Sequence, residues 1–114
     1  MRNEGHFELS GERQVPIRFR VLRSWFARLK GLLGTGPGAE PVVLVGTWSV
    51  HTYGMAYSID IALADGGGRV LASVRDVPPR RVISARGARF AFERPTCDRD
   101  WISADARLDV SRLG

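Results

Sequence analysis

The chain has one cysteine, one lysine and two histidines in 114 residues, and no apolar run long enough to cross a bilayer. A single thiol, Cys97, excludes an internal disulfide and any cysteine-rich zinc site. The remaining donors, His6, His51 and Asp60, show no ligand-pair spacing, so neither a metal nor another cofactor is expected. The opening residues, Met1-Arg2-Asn3-Glu4-Gly5-His6, are polar and lack the apolar centre of a secretory signal. The expectation is a cytoplasmic protein with no membrane partner.

What is present is the composition of an ordinary globular domain, 44% apolar and 25% charged, at a length that builds one core. The net charge is +5, and sixteen of the seventeen basic residues are arginine. Between Arg69 and Arg94 seven arginines face only Asp76 and Glu93, so that segment holds the whole excess. Arg80, Arg81, Arg86 and Arg89 form a candidate basic rim. Basic surface alone supports non-specific phosphate attraction, and solvated arginines explain the skew more simply than a nucleic-acid footprint.

Alternation of apolar and polar residues predicts a strand over Val15–Leu22, with Val15, Ile17, Phe19 and Val21 on one face. Residues 1–14 form a tail or a loose first strand. Ser24 offers a helix N-cap before Trp25-Phe26-Ala27-Arg28-Leu29-Lys30, and Gly31 and Gly34 stop the helix after about two turns. Trp25, Leu29 and Leu32 share a face of it at i, i+4, i+7. Val42–Thr47 reads as a buried strand, Ile59–Ala64 as an alternating one, and Asp65-Gly66-Gly67-Gly68 as the hairpin turn into Arg69–Arg75. Val77–Arg81 is extended by its two prolines. Val82–Ala85 pairs briefly, Arg89–Glu93 is a strand with both phenylalanines on one face, and Ala106–Val110 is a last strand. The class is mainly β: a single domain with a curled, partly closed, antiparallel-rich sheet or barrel and one short helix.

The stretch His51-Thr52-Tyr53-Gly54-Met55-Ala56-Tyr57-Ser58-Ile59-Asp60 stands out. Asp60 is the only formal charge between Glu40 and Asp65, and a lone carboxylate in so apolar a segment must find donors or a cation to be buried.

Four segments in this order, Arg28-Leu29-Lys30-Gly31-Leu32-Leu33-Gly34, His51-Thr52-Tyr53-Gly54-Met55, Ile59-Asp60 and the Asp65–Val70 hairpin, followed by Val77-Pro78-Pro79-Arg80 and Ala88–Glu93, resemble the bacterial and archaeal family catalogued as domain of unknown function 192. The resemblance spans residues 18–110. It implies a compact, mainly β fold with a short helix at the Arg28 turn, and no assigned reaction. The chain departs from the family's pattern at Ala56, where a basic residue is usual, and at Ser58, where proline is. It also lacks a glycine soon after Glu93 and has Ala104 where a glycine is common. If a basic residue at the position of Ala56 grips an anion in other members, this chain lacks that grip.

Arg28, His51, Thr52, Asp60 and Glu93 make a candidate polar centre, read first as a buried ion-pair and hydrogen-bond network with Arg28 and Glu93 as the partners of Asp60. Trp48, Tyr53, Met55 and Tyr57 are a candidate pocket lining or a contact surface for a protein partner. Ser49 and Thr52 are too near His51 in sequence to face it without a special turn, and no catalytic residue is assigned. The favoured expectation is therefore a monomeric, non-catalytic binding or interaction module. The alternatives are a small-ligand binder or small enzyme using a His51/Asp60/Arg28 cleft, and non-specific nucleic-acid binding through the arginine face.

Overall fold

A computed structural model describes residues 5–9 and 16–113, with only the backbone described at Trp25, Phe26 and Leu29. The strands are β1 (His6–Leu9), β2 (Ile17–Leu22), β3 (Val42–Val45), β4 (Ser49–His51), β5 (Ile59–Asp65), β6 (Val70–Val77), β7 (Val82–Ser84) and β8 (Ala88–Pro95). The helix α1 is Trp25–Lys30. Six strands form one sheet in the order β1-β2-β3-β8-β5-β6, and β4 pairs with β7 in a second, two-stranded sheet. Within the large sheet β2 and β3 run parallel and their neighbours antiparallel. The protein is thus mainly β with one short helix, as the sequence predicts, and the sheet stays open rather than closing into a barrel.

Strand alternation divides the core into two clusters on opposite faces of the sheet. Phe19, Val43, Ala62, Phe90 and Phe92 lie in one, covered by Trp101, Ile102, Val110 and Leu113 of the C-terminal segment. Val42, Leu44, Ile59, Ile61, Leu63 and Ala91 lie in the other, covered by Leu32, Val50 and Met55. The central strand β5 is buried on both faces through Ala64, so its alternation separates two cores rather than core from solvent.

Phe7 and Leu9 bury against the first core, and β1 pairs with β2, so part of the loose N-terminal segment is a true edge strand. The Ser24 cap forms as expected, its hydroxyl accepting from the Ala27 amide at 3.0 Å. The strand expected to begin at Val15 is described from Ile17; Val15 lies outside the described residues, as do the side chains of the expected Trp25–Leu29 helix face. Two local readings change. Ala106–Val110 is not a strand but touches the β6 hairpin through a single Arg69–Arg107 bridge, because Asp105 turns the chain with φ +65° just before it. Conversely, Ser49–His51, where the sequence predicts no element, forms a strand; three residues are too few to show a period, and the β7 partner lies more than thirty residues away.

Candidate functional site

An open cleft of about 250 Å³ lies between the end of α1, β4 and β8. Its polar lining is Arg28, Lys30, Thr47, Ser49, His51 and Glu93; Leu32, Leu33, Leu44, Val50, Met55 and Ile59 make its apolar wall. Three separated parts of the sequence meet there, each for a local reason. The helix brings Arg28 and Lys30 in its last turn, where basic groups suit the dipole. Gly31 ends the helix at φ +49°, and a Cβ there would come within 3.4 Å of a Glu93 carboxyl oxygen. Gly46, at φ +78°, lets the Arg28 guanidinium lie against the backbone; a Cβ would sit 2.9 Å from its Nη1.

Arg28 donates from Nε to the Ser24 carbonyl at 3.4 Å and from Nη1 to the carbonyls of Val45 and Gly46 at 3.0 and 3.2 Å. These bonds brace the helix against the end of β3 and leave Nη2 without a partner among the described residues. Glu93 sits in β8 directly between Val42 of β3 and Ile61 of β5. It is only 4% exposed, and no hydrogen bond or ion pair reaches its carboxyl group among the described residues. Burial without donors pushes its pKa from 4.5 up to about 8, so the carboxyl is held neutral at ordinary pH. Arg28 and Glu93, expected in one network around Asp60, form no ion pair with each other among the described residues.

Asp60 lies on the other face of the sheet. It is fully buried and accepts from Arg94 Nε at 2.8 Å, from the Asp76 amide at 2.9 Å and from the Thr96 hydroxyl at 3.0 Å, with Arg75 at 3.8 Å. A bulge between β5 and β6, where Asp76 takes φ +56°, aims that amide at the carboxylate. Arg94 also donates to the Arg99 carbonyl and lies over the Trp101 ring at 4.7 Å, fastening the 95–101 loop to the first core. The partner of Asp60 is thus Arg94, not Arg28 or Glu93. Sequence reasoning passed over Arg94, although it follows Glu93 and so must face the opposite side of the strand.

Thr52 is sealed. Its hydroxyl donates to the Pro78 carbonyl at 2.7 Å and accepts from the Arg81 amide at 2.8 Å, sewing the His51–Met55 loop to the proline segment. Of the expected pocket lining, Met55 faces the cleft, and Tyr57 is half-buried with its hydroxyl 2.6 Å from that of Thr35. Trp48 and Tyr53 are 58% and 52% exposed, with Tyr53 beside the His51 ring. Arg80, Arg81, Arg86 and Arg89 are all exposed, and none lines the cleft. Among the described residues no three histidine, cysteine or acidic side chains come together to hold a metal. Among the described residues no helix is long and apolar enough to cross a membrane.

No family model and no curated protein matches the chain. Two solved structures resemble it. A candidate transcription regulator from Sinorhizobium meliloti 1021 superposes with a TM-score of 0.70 at 14% identity, over 93% of this chain and 92% of that one. A protein of unknown function from Novosphingobium aromaticivorans DSM 12444 superposes with a TM-score of 0.63 at 16% identity, over 83% of this chain and 74% of that one. The fold is shared. At such identities the likeness extends to architecture alone, and the cleft must be read from its own chemistry.

Proposed function

We propose that this protein is a non-catalytic binding module that takes a small ligand in the cleft between α1, β4 and β8. The observation that supports this reading is Glu93. A buried carboxyl without a donor is costly to the fold, and the cost is retained at the one place where the group opens onto a cleft. Groups perturbed by desolvation inside a cleft are candidates for ligand contact. The Asp60 network, closed and fully satisfied, is architectural. Within the cleft Ser49 Oγ is engaged with Ser84 Oγ at 2.7 Å, and the Thr52 hydroxyl is spent on backbone groups, which favours binding over nucleophilic chemistry. The segments around Arg28, His51 and Ile59 that resemble the domain of unknown function 192 family contribute much of the cleft, which supports grouping the chain with that family; we assign it to the cytoplasm.

Amide chemical-shift mapping with a panel of small acidic, neutral and basic organic probes tests the reading. Shifts should concentrate at Lys30–Leu33, Ser49–Met55 and Glu93. A panel that leaves all three segments unmoved would overturn it.

A second reading draws on the description of the Sinorhizobium structure and on the exposed arginines outside the cleft. It makes the protein a nucleic-acid binder. Retention on a polyanion should then fall steeply with added salt; weak retention that salt does not change sinks that reading.

A further inference from the structure

Resting on the proposed binding cleft, we infer that its ligand is a small organic acid: an anionic head placed against Arg28 and Lys30, with a short apolar body on the leucine wall and a hydrogen bond from Glu93.

Charge decides the sign of the head. The ionisable groups facing the cleft are Arg28 and Lys30 from α1, His51 from β4 and Glu93 from β8. The lining residues from β3 and β5, Leu44 and Ile59, add no charge, and Asp60 is committed to the other face of the sheet. Neither Arg28 nor Lys30 has an acidic partner among the described residues. Two cations beside a neutral carboxyl leave the cleft positive, so an ammonium ligand meets repulsion and an anion meets attraction. Arg28 is positioned for this. Its Nε and Nη1 are held by backbone carbonyls, which fixes the planar fork before any ligand arrives, while Nη2 has no partner among the described residues.

Glu93 distinguishes an organic acid from a bare anion site. A protonated carboxyl has an O–H to donate as well as an oxygen that accepts. Against a carboxylate oxygen that donation is charge-assisted, and the hydrogen bond is stronger than one between neutral groups. No described residue accepts a hydrogen bond from that carboxyl.

Size and apolarity set the body. The cleft is smaller than the ~300–1,000 Å³ that holds drug-sized ligands. Leu32, Leu33, Leu44, Val50, Met55 and Ile59 line it, and inorganic phosphate would leave that wall uncovered. A short aliphatic or aromatic acid covers it.

Four probes separate the outcomes: hexanoate, hexanol, hexylammonium and inorganic phosphate, each titrated calorimetrically into the 114-residue chain at about pH 6, where Glu93 is protonated. Hexanoate should bind at least about tenfold more tightly than each of the others, the margin of one charge-assisted hydrogen bond. Raising the pH to about 9 ionises Glu93 and should weaken hexanoate binding by about tenfold. Glu93→Gln retains a donor that does not titrate, so the variant should lose that pH dependence. Lys30→Gln, a neutral change at an exposed position, should weaken hexanoate and leave hexanol unchanged. Hexanol or hexylammonium binding in the cleft as tightly as hexanoate would overturn the ligand class while leaving the binding cleft standing. Phosphate binding as tightly would reduce the site to a simple anion site. Failure of all four to bind would overturn both.

Discussion

Two buried carboxyl groups sit one residue out of step on adjacent central strands, and the fold treats them in opposite ways. Asp60 of β5 lies opposite Arg94, and Glu93 of β8 lies opposite Ile61. Both are out of water. Asp60 has three donors within 3.0 Å, drawn from β8, the bulge in β6 and the following loop. Glu93 has Val42 and Ile61 as its strand neighbours and a cleft in front of it. The comparison teaches that burial alone does not mark a functional carboxyl. A satisfied one fastens elements together; an unsatisfied one beside a cleft keeps its hydrogen-bonding capacity unspent among the described residues.

The largest effect should come from breaking the satisfied side. Asp60→Ala leaves the Arg94 guanidinium buried without its anion and strands the Asp76 amide, which should cost ~3–5 kcal/mol in urea unfolding. Asp60→Asn should recover part of that loss, since it restores the shape and one acceptor but not the charge. If Asp60→Ala unfolds at the wild-type midpoint, the architectural role is wrong.

The unsatisfied side should respond with the opposite sign. The folded-state pKa of Glu93 lies above its unfolded value, so the fold binds this proton more tightly than the unfolded chain does. Its contribution to stability is fully present below about pH 4.5 and is lost as pH rises through about 8. Glu93→Gln removes the titration. At about pH 9 the variant should be more stable than the wild type by roughly 1–3 kcal/mol, with the gap closing toward pH 5. A wild-type protein whose unfolding midpoint is flat between those limits would remove the asymmetry between the two carboxyls.

A third buried polar group sharpens the contrast. Thr52→Val keeps the shape but leaves the Pro78 carbonyl and the Arg81 amide without the hydroxyl, an expected loss of ~1–3 kcal/mol in the same unfolding assay. The smallest effect concerns the helix that carries Arg28. Ser24→Ala removes the cap and should cost about 1 kcal/mol. Because α1 forms one wall of the cleft, this variant should also weaken hexanoate binding, whereas Thr52→Val, more costly to the fold, should weaken it less.

Local features were legible wherever neighbours in sequence settle them. The Ser24 cap, the glycine stop at Gly31, the Asp65–Gly68 turn and the shared face of Phe90 and Phe92 follow from short-range sterics and alternation. Arg28, His51, Met55 and Glu93 line one cleft, whereas the sequence placed Met55 in a separate pocket lining and the other three in a polar centre with Thr52 and Asp60. Asp60 was grouped with them because it is the most conspicuous charge in the central segment. Its side of the sheet depends on strand parity, and a shift of one residue exchanges the faces.

By itself the sequence determined a mainly β domain with one short capped helix, and it singled out Asp60 and Glu93 but not Arg94 among the charged residues removed from water. Only the tertiary structure decided which of them meet. The order β3-β8-β5 joins strands about fifty residues apart in the chain, as at Val42 and Glu93, and no local preference specifies that order or its register. Once it is set, alternation sends Asp60 and Arg94 to one face and Glu93 to the other. The physical reason is that local periodicity states which residues share a face, while the identity of the neighbouring strand, which decides whether a buried charge is paired, comes from contacts made across the whole chain.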